Sequence, residues 1–280
     1  MKEIFQLKKV AILTRGYRSK AEHAKKSLHL NQSLGLIASV EECGDEPLLL
    51  SRLLPSVDIW VGKNRICSAK IAASAGAELL FLDDGFQHRK IKRDFEVIVL
   101  DGKDPFGKGF FLPRGLLRDS IKRLEKADLL VANHIENAEQ FGSLEQNLKS
   151  FSNAPLVGAC MKPKENSLQG KKVGVFCGLG KPQRFVETVQ KTGADIVDLL
   201  LLPDHKGSNE EQLKQFAEKC FRKGAECLIC TEKDLVKLTQ PKNDSSSCLC
   251  IPIVPLSATF EIVFGKEKWT KAILQFMNMR

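Results

Sequence analysis

A pair of carboxylates at the end of an apolar run is the first feature of this sequence that suits chemistry. Residues 79–82 are all apolar, and Asp83, Asp84 and Gly85 follow them directly. Carboxylate oxygens are ligands that Mg²⁺ prefers, and such a pair can hold the ion on a nucleotide. An ordinary acidic turn with glycine at positive φ would use the same residues. Because a basic cluster follows the pair, we favour the functional interpretation.

Two further acidic positions are candidates. Asp45 and Glu46 stand where a helix is predicted to begin, so they either stabilise the helix N-terminus or supply a general base for a hydroxyl nucleophile. Asp204 precedes His205 after another apolar run, where the carboxylate could orient the imidazole. A polar loop pair without chemistry explains Asp204 and His205 equally well.

The basic residues favour anionic partners. Lys and Arg number 43 against 34 Asp and Glu, a net charge of +9. Residues 112–124 place Arg114, Arg118 and Arg123 among apolar residues, which suits an anionic lipid or phosphate surface, or a solvated helix face. With one Tyr and two Trp, a base-stacking platform is poorly supported and no nucleic-acid partner is expected, although the 16 Phe keep a nucleic-acid module as a third alternative.

These residues need a scaffold, and the sequence predicts a parallel α/β sheet. Apolar, strand-like runs alternate with helical patterns at residues 46–54, 65–75, 182–191 and 209–223. The predicted strands are residues 9–13, 57–61, 79–82, 95–100, 128–132, 156–160, 173–176, 196–201, 227–230 and 249–254. The polar clusters follow strand ends, where open α/β sheets bind their ligands.

The polar segment 161–172 predicts a boundary between a core domain, residues 1–162, and a smaller α/β domain, residues 163–280. No apolar run reaches the roughly 18 residues of a membrane span, and the first residues are charged, which indicates a cytoplasmic protein. Cys227 and Cys230 have metal-site spacing, but they lie in an apolar run and are predicted to be small buried side chains.

Taken together, several short motifs closely resemble the tetraacyldisaccharide 4'-kinase family. Each motif is weak alone, whereas their order and spacing over nearly the whole chain are specific. They are RGY at 15–17, GDEP at 44–47, VGKNR at 61–65, LDDGFQH at 82–88, LPRGLLRD at 112–119, PDH at 203–205 and TEKD at 231–234.

The resemblance implies an ATP- and Mg²⁺-dependent kinase acting on the 4'-hydroxyl of an acylated glucosamine disaccharide 1-phosphate, in lipid A synthesis. The enzyme would be peripheral on the cytoplasmic side of the inner membrane and would meet an anionic membrane surface. By the same resemblance, Asp45 would be the catalytic base working with His205, and Asp83 and Asp84 would serve Mg²⁺. The remaining positions would be a cofactor-binding residue, Gln87, and substrate-binding residues, Glu46, Arg65, His88 and Arg118.

Family members carry a membrane-associating helix and a P-loop ahead of RGY, whereas here about ten residues precede the end of the first strand. The sequence contains no G-x-x-x-x-G-K-[ST]. We therefore expect a P-loop NTPase-like sheet that lacks its first strand and P-loop. That sheet would have an unpaired flank beside the strand ending near Leu13. Residues 1–280 alone should turn over ATP weakly or not at all.

Three accounts of this departure stay open. We favour a misplaced start codon in a working kinase, because Asp45, Asp83, Asp84 and His205 are all present. The others are a decaying gene and a non-catalytic module that binds acyl disaccharide or a membrane surface.

Overall fold

The computed structural model describes residues 9–164, 168–203, 210–238 and 249–278. The chain forms two compact units. The first unit contains Leu7–Asp83 and Pro163–Ser257, and the second contains Asp84–Lys162 and Ala258–Arg280. The chain thus leaves the first unit after Asp83, returns after Lys162, where the sequence predicts a boundary, and leaves again after Ser257. Both units combine segments from either side of residue 162, and the division into domains 1–162 and 163–280 stays a prediction.

The first sheet of the first unit has the strand order β2-β3-β1-β4. Strands β1, β3 and β4 are mutually parallel in their pairings, and β2 is antiparallel to β3. The expected unpaired flank beside β1 is wrong, because β1 pairs with β3 on one side and β4 on the other. The strands are β1 Val10–Thr14, β2 Leu28–Leu30, β3 Asp58–Val61 and β4 Leu79–Leu82.

Short helices connect these strands, and apolar side chains of β1 and β3 bury against them. Leu13 and Trp60 form a core cluster with Ala72 of the helix that follows β3. Ile59 and Val61 point into a second cluster with Leu48. The helices are α1 Lys20–His23, α2 Val40–Cys43, α3 Asp45–Leu53 and α4 Arg65–Ser74.

The second sheet of the first unit is entirely parallel in its pairings, with the order β11-β10-β8-β9. Its strands are β8 Lys172–Cys177, β9 Asp195–Leu201, β10 Cys227–Cys230 and β11 Ile253–Pro255. Its helices are α6 Pro182–Lys191, α7 Glu210–Arg222 and α8 Glu232–Leu238. Cys227 and Cys230 are buried in β10, which confirms the prediction that they pack as small apolar side chains.

The second unit is built on a sheet with the order β12-β7-β6-β5, in which β5, β6 and β7 are parallel. Its strands are β5 Val97–Asp101, β6 Leu129–Asn133, β7 Leu156–Pro163 and β12 Ala258–Phe264. Two α-helices accompany it, α5 Ala138–Leu148 and α9 Lys266–Asn278. 3₁₀ turns occur at Gln32–Leu34 in the first unit and at Gly107–Gly109 and Ile121–Lys126 in the second.

The α/β fold class with parallel pairing is confirmed, and all ten predicted strands overlap observed ones. Strands β2 and β12 were not predicted. Among the described residues, no helix is both long and apolar enough to cross a membrane.

One ion-pair group links β9 to the region of α7. Asp198 lies 2.9 Å from Nζ of Lys219 and 2.7 Å from Nζ of Lys223. Hydrogen bonds from Lys219 and Lys223 lower the pKa of Asp198 to about 2. The ionised carboxylate of Asp198 is more stable in the folded than in the unfolded chain, so it adds to the free energy of unfolding. This contribution is complete above the pKa of the unfolded chain and is lost as the pH falls through the lower pKa of the folded chain.

We expect Asp198→Asn to lower the free energy of unfolding by about 1 kcal/mol at neutral pH, since the pair is partly screened by solvent. The difference should shrink as the pH falls below about 4, the ordinary aspartate range. Urea unfolding at several pH values measures it, and a difference that grew on acidification would contradict the assignment.

Candidate functional site

The carboxyl ends of β1 and β4 bring Thr14 and Asp83 together. Thr14 Oγ1 donates a hydrogen bond of 2.9 Å to Oδ2 of Asp83, and the Asp83 N–H donates to the Leu13 carbonyl at 2.9 Å. Parallel strands end at the same edge of a sheet, so this contact follows from the pairing itself. The side chain and the backbone of Asp83 are therefore both fixed at the carboxyl ends of β1 and β4.

Arg65 joins this edge from the start of α4. Its side chain is buried, with 7% of the residue exposed, and Nη2 donates to the Asp83 carbonyl at 3.1 Å. Asn64 caps the helix by accepting a hydrogen bond from the Cys67 N–H at 3.2 Å. The structure thus brings together two of the predicted site residues, Arg65 and Asp83.

The RGY turn after β1 contacts the backbone that precedes Asp45. Gly16 has a φ of +67°, and a Cβ there would lie 2.4 Å from Cγ1 of Val61 and 2.8 Å from the Cys43 carbonyl. Ser19 Oγ donates to the Gly16 carbonyl at 2.7 Å. Only glycine fits this position, because both the backbone conformation and the available space exclude a side chain.

The same turn is held by a buried carboxylate, Glu22. Its oxygens accept hydrogen bonds of 2.7 Å from Nε of Arg15 and 2.7 Å from the Arg18 N–H. Burial by itself raises the pKa of Glu22, but these two donors outweigh it and the pKa lies below its ordinary value. Arg15 of the RGY motif is therefore an anchor of the turn.

Asp45 begins α3, directly after Gly44, and its side chain is 14% exposed. Two lysines of α8 face its Oδ2, with Nζ of Lys233 at 3.5 Å and Nζ of Lys237 at 3.7 Å. Lys233 also contacts Oε1 of Glu46 at 3.0 Å. Motifs GDEP and TEKD, distant in sequence, therefore meet in the first unit. Sequence reasoning assigned no role to these lysines, although Lys233 belongs to the TEKD motif and the i, i+4 spacing puts both on one helix face.

In the second unit, Asp84, Gln87 and Arg118 form an exposed polar group. Nη2 of Arg118 donates to Oδ2 of Asp84 at 2.8 Å, and Nε2 of Gln87 donates to the Arg118 carbonyl. The hydrogen bond to Asp84 raises the pKa of Arg118. Three predicted site residues are thus in contact, and the arginine is positioned where an anion can approach.

Arginines also fix the segment between Gly85 and His88. Nη1 of Arg93 donates to the His88 carbonyl at 2.8 Å, and Nη2 of Arg123 donates to the Phe86 carbonyl at 2.9 Å. The Arg123 guanidinium lies 4.1 Å from the Phe86 ring centroid, a cation–π contact. His88 is therefore held on a fixed backbone, and Arg123 has a structural role in addition to its charge.

His205 lies outside the described residues, and so does its neighbour Asp204. Within the described part of the chain, no group of three or more His, Cys, Asp or Glu side chains is arranged to hold a metal ion. Mg²⁺ in phosphoryl-transfer sites is commonly bound by one or two carboxylates together with substrate phosphates. The Asp83 carboxylate beside the Thr14 hydroxyl, 2.9 Å away, is an all-oxygen donor set that fits this ion.

Known proteins resemble the chain over most of its length. Residues 3–278 match the family model LpxK, described as Tetraacyldisaccharide-1-P 4'-kinase. A Tetraacyldisaccharide 4'-kinase of Chlamydia caviae is 37% identical over 81% of this chain and 63% of its own length. That of Halothermothrix orenii is 31% identical over 85% of this chain and 68% of its own length. The chain thus spans less than two thirds of the Chlamydia caviae relative.

A solved structure has the same fold. It is LpxK from Aquifex aeolicus in complex with ATP, with a TM-score of 0.71 and 27% identity. The match covers 98% of this chain and 81% of the other. This similarity confirms the predicted P-loop kinase type of fold.

We expect Gly16→Ala to lower the free energy of unfolding by about 2 kcal/mol or more, through backbone strain and overpacking against Val61. The matched control is Gly35→Ala, since Gly35 also has a positive φ of +70° but no atom within 4 Å of a Cβ. Gly35→Ala should lower the free energy of unfolding by only about 1 kcal/mol. Equal losses in denaturant unfolding would show that the close approach at Gly16 is unimportant.

Proposed function

Because the chain belongs to the Tetraacyldisaccharide-1-P 4'-kinase family, we propose that the protein phosphorylates the 4'-hydroxyl of a tetraacyldisaccharide 1-phosphate with ATP, in lipid A synthesis. The observation that carries the proposal is the family match over residues 3–278. The site residues add support, because carboxylates and cations stand at the strand ends where phosphoryl transfer needs them. The expectation that residues 1–280 alone turn over ATP weakly stays a prediction.

In the proposed reaction, the 4'-oxygen forms a bond to the γ-phosphorus while the bond from that phosphorus to the β,γ-bridging oxygen breaks, and ADP leaves. Asp45 accepts the proton of the 4'-hydroxyl. Its carboxylate begins α3, and Oδ1 accepts a hydrogen bond from the Glu46 N–H at 3.0 Å, which restricts its orientation. His205 is proposed to work with Asp45, and Glu46 to contact the sugar.

Asp83 and Asp84 are the residues proposed to hold Mg²⁺, which when bound neutralises charge on the phosphates. Arg65 and Arg118 add positive charge, and guanidinium groups are well suited to bidentate binding of phosphate oxygens. Gln87 is proposed to contact the nucleotide and His88 the acceptor. Asp84 accepts a hydrogen bond from Arg118 at 2.8 Å, so this carboxylate also positions a cation.

We also propose that the protein lies on the cytoplasmic face of the inner membrane and contacts its anionic surface through residues 107–117, the apolar loop. Four large side chains of this loop, Phe110, Phe111, Leu112 and Leu116, are 44–68% exposed. Backbone hydrogen bonds of 2.8 Å from Leu116 to Gly107 and 3.0 Å from Leu117 to Phe110 close the loop.

The charges of the apolar loop and its surroundings suit the same partner. Residues 105–118 contain Lys108, Arg114 and Arg118 and no acidic side chain, and Asp104 and Asp119 flank them. The Arg114 guanidinium lies 3.8 Å from the Phe110 ring centroid. Each cation near an anionic bilayer contributes about 1 kcal/mol of attraction, to which the apolar side chains add burial among the lipids. The same loop would support the second candidate function, a non-catalytic module that binds acyl disaccharide or membrane surfaces.

We expect Asp45→Asn and Asp84→Asn each to reduce phosphate transfer at least 100-fold while both variants remain folded, because they remove the base and a metal ligand. Transfer from γ-labelled ATP to tetraacyldisaccharide 1-phosphate is measured with protein isolated from its own cells, so that it contains every residue the gene encodes. The control is Asp195→Asn, an exposed residue of β9. If a variant loses activity because it unfolds, the substituted aspartate has a structural role. Wild-type protein that binds acyl disaccharide without transferring phosphate would favour the second function.

We expect the double change Phe111→Ser and Leu112→Ser to reduce flotation with vesicles containing anionic phospholipid several-fold, in the absence of nucleotide. Leu34→Ser is the matched control, because Leu34 is also 66% exposed but belongs to the first unit. Equal flotation of the double variant and the control would show that the apolar loop does not contact the membrane.

A further inference from the structure

We propose that Lys233 and Lys237 are positioning residues for Asp45, holding its carboxylate in one orientation for the incoming hydroxyl. The inference rests on the proposed function and goes beyond it by assigning a role to the TEKD motif. Both ammonium groups approach the same oxygen, Oδ2, at 3.5 and 3.7 Å. Oδ1 accepts a hydrogen bond from the Glu46 N–H at 3.0 Å.

Helix α8 is held by a buried carboxylate, Asp234, which is 4% exposed. Its Oδ1 accepts a hydrogen bond of 3.2 Å from the Gly178 N–H, and its Oδ2 accepts one of 2.6 Å from the Thr231 hydroxyl. The Asp234 N–H donates back to Oγ1 of Thr231 at 3.1 Å. Asp234 therefore ties α8 to the ends of β8 and β10.

Lys237 connects this anchor to Asp45. Its Nζ lies 3.5 Å from Oδ1 of Asp234 and 3.7 Å from Oδ2 of Asp45, so one ammonium bridges two carboxylates. Its side chain is largely buried. Because the Lys237 ammonium is already held between two fixed carboxylates, it loses little further conformational freedom when substrate binds. Lys237 and Asp234 therefore connect Asp45 to the second sheet of the first unit.

Apolar packing strengthens the same link. Val236, between the two lysines, is 2% exposed and belongs to the core cluster that contains Cys43 and Leu48. These two residues flank Asp45 in sequence, so α8 and the start of α3 share one core. The distance between the lysines and Asp45 is consequently set by packed side chains.

The charges explain why two lysines are needed. Lys233 contacts the carboxylates of Asp45 and Glu46, and Lys237 contacts those of Asp45 and Asp234. Removing one lysine leaves neighbouring carboxylates that repel each other, and Asp45 would turn away. A displacement of about 1 Å at a reacting group can lower a rate by about 100-fold.

The test is transfer by Lys237→Met and by Lys233→Met in the protein isolated from its own cells, with thermal unfolding measured beside it. We expect each to lower kcat about 10- to 100-fold while KM for ATP is unchanged, and Lys237→Arg to recover most of kcat. In an Asp45→Asn background, Lys237→Met should cause no further loss, because the lysine acts through that carboxylate. Lys219→Met is the matched control, since Lys219 pairs with Asp198 instead, and it should leave kcat unchanged.

The outcomes separate the two proposals. A normal kcat in both methionine variants, or an equal loss with and without Asp45, overturns the positioning role while the kinase function stands. If Lys237→Met proves unstable, Lys233→Met, whose side chain is more exposed, decides the question. Wild-type protein that transfers no phosphate overturns the proposed function, and the positioning role falls with it.

Discussion

Parallel pairing of β1 with β3 and β4 is the constraint on which the rest of the first sheet's site depends. It brings three strand ends to one edge, so that Thr14, the start of α4 and Asp83 meet there. The close approach of Gly16 to Val61 and Cys43 then joins the RGY turn to the segment that leads into Asp45. The polar residues are positioned by backbone hydrogen bonds and packing, and this gives their chemistry a fixed geometry before any ligand arrives.

A second link joins the two sheets of the first unit through charge. Asp234 is costly to bury, and contacts with a backbone amide, a hydroxyl and Lys237 stabilise it. The same lysine reaches Asp45, so a buried structural charge and the proposed catalytic base share a partner. In the second unit, Arg118 has a comparable place between Asp84 and Gln87.

Local sequence patterns predicted most of the fold, because apolar runs and turn residues determine where strands and helices form. They missed β2, which has only three residues, and β12. The order of strands in a sheet is not a local property, which is why the unpaired flank beside β1 was predicted wrongly. Asp83 and Arg65 were predicted as site residues from their motifs, whereas the contact of Lys237 with Asp45 joins residues far apart in sequence and has no local signal.

The central claim is that phosphate is transferred to the 4'-hydroxyl of the disaccharide. Phosphorus NMR of the lipid product tests it most directly, using protein isolated from its own cells with ATP, Mg²⁺ and tetraacyldisaccharide 1-phosphate. We predict one new phosphate monoester signal beside the 1-phosphate, coupled to the proton at the 4'-carbon, in step with ADP formation. Formation of ADP with no new lipid phosphate, or a new signal at another carbon, would contradict the account.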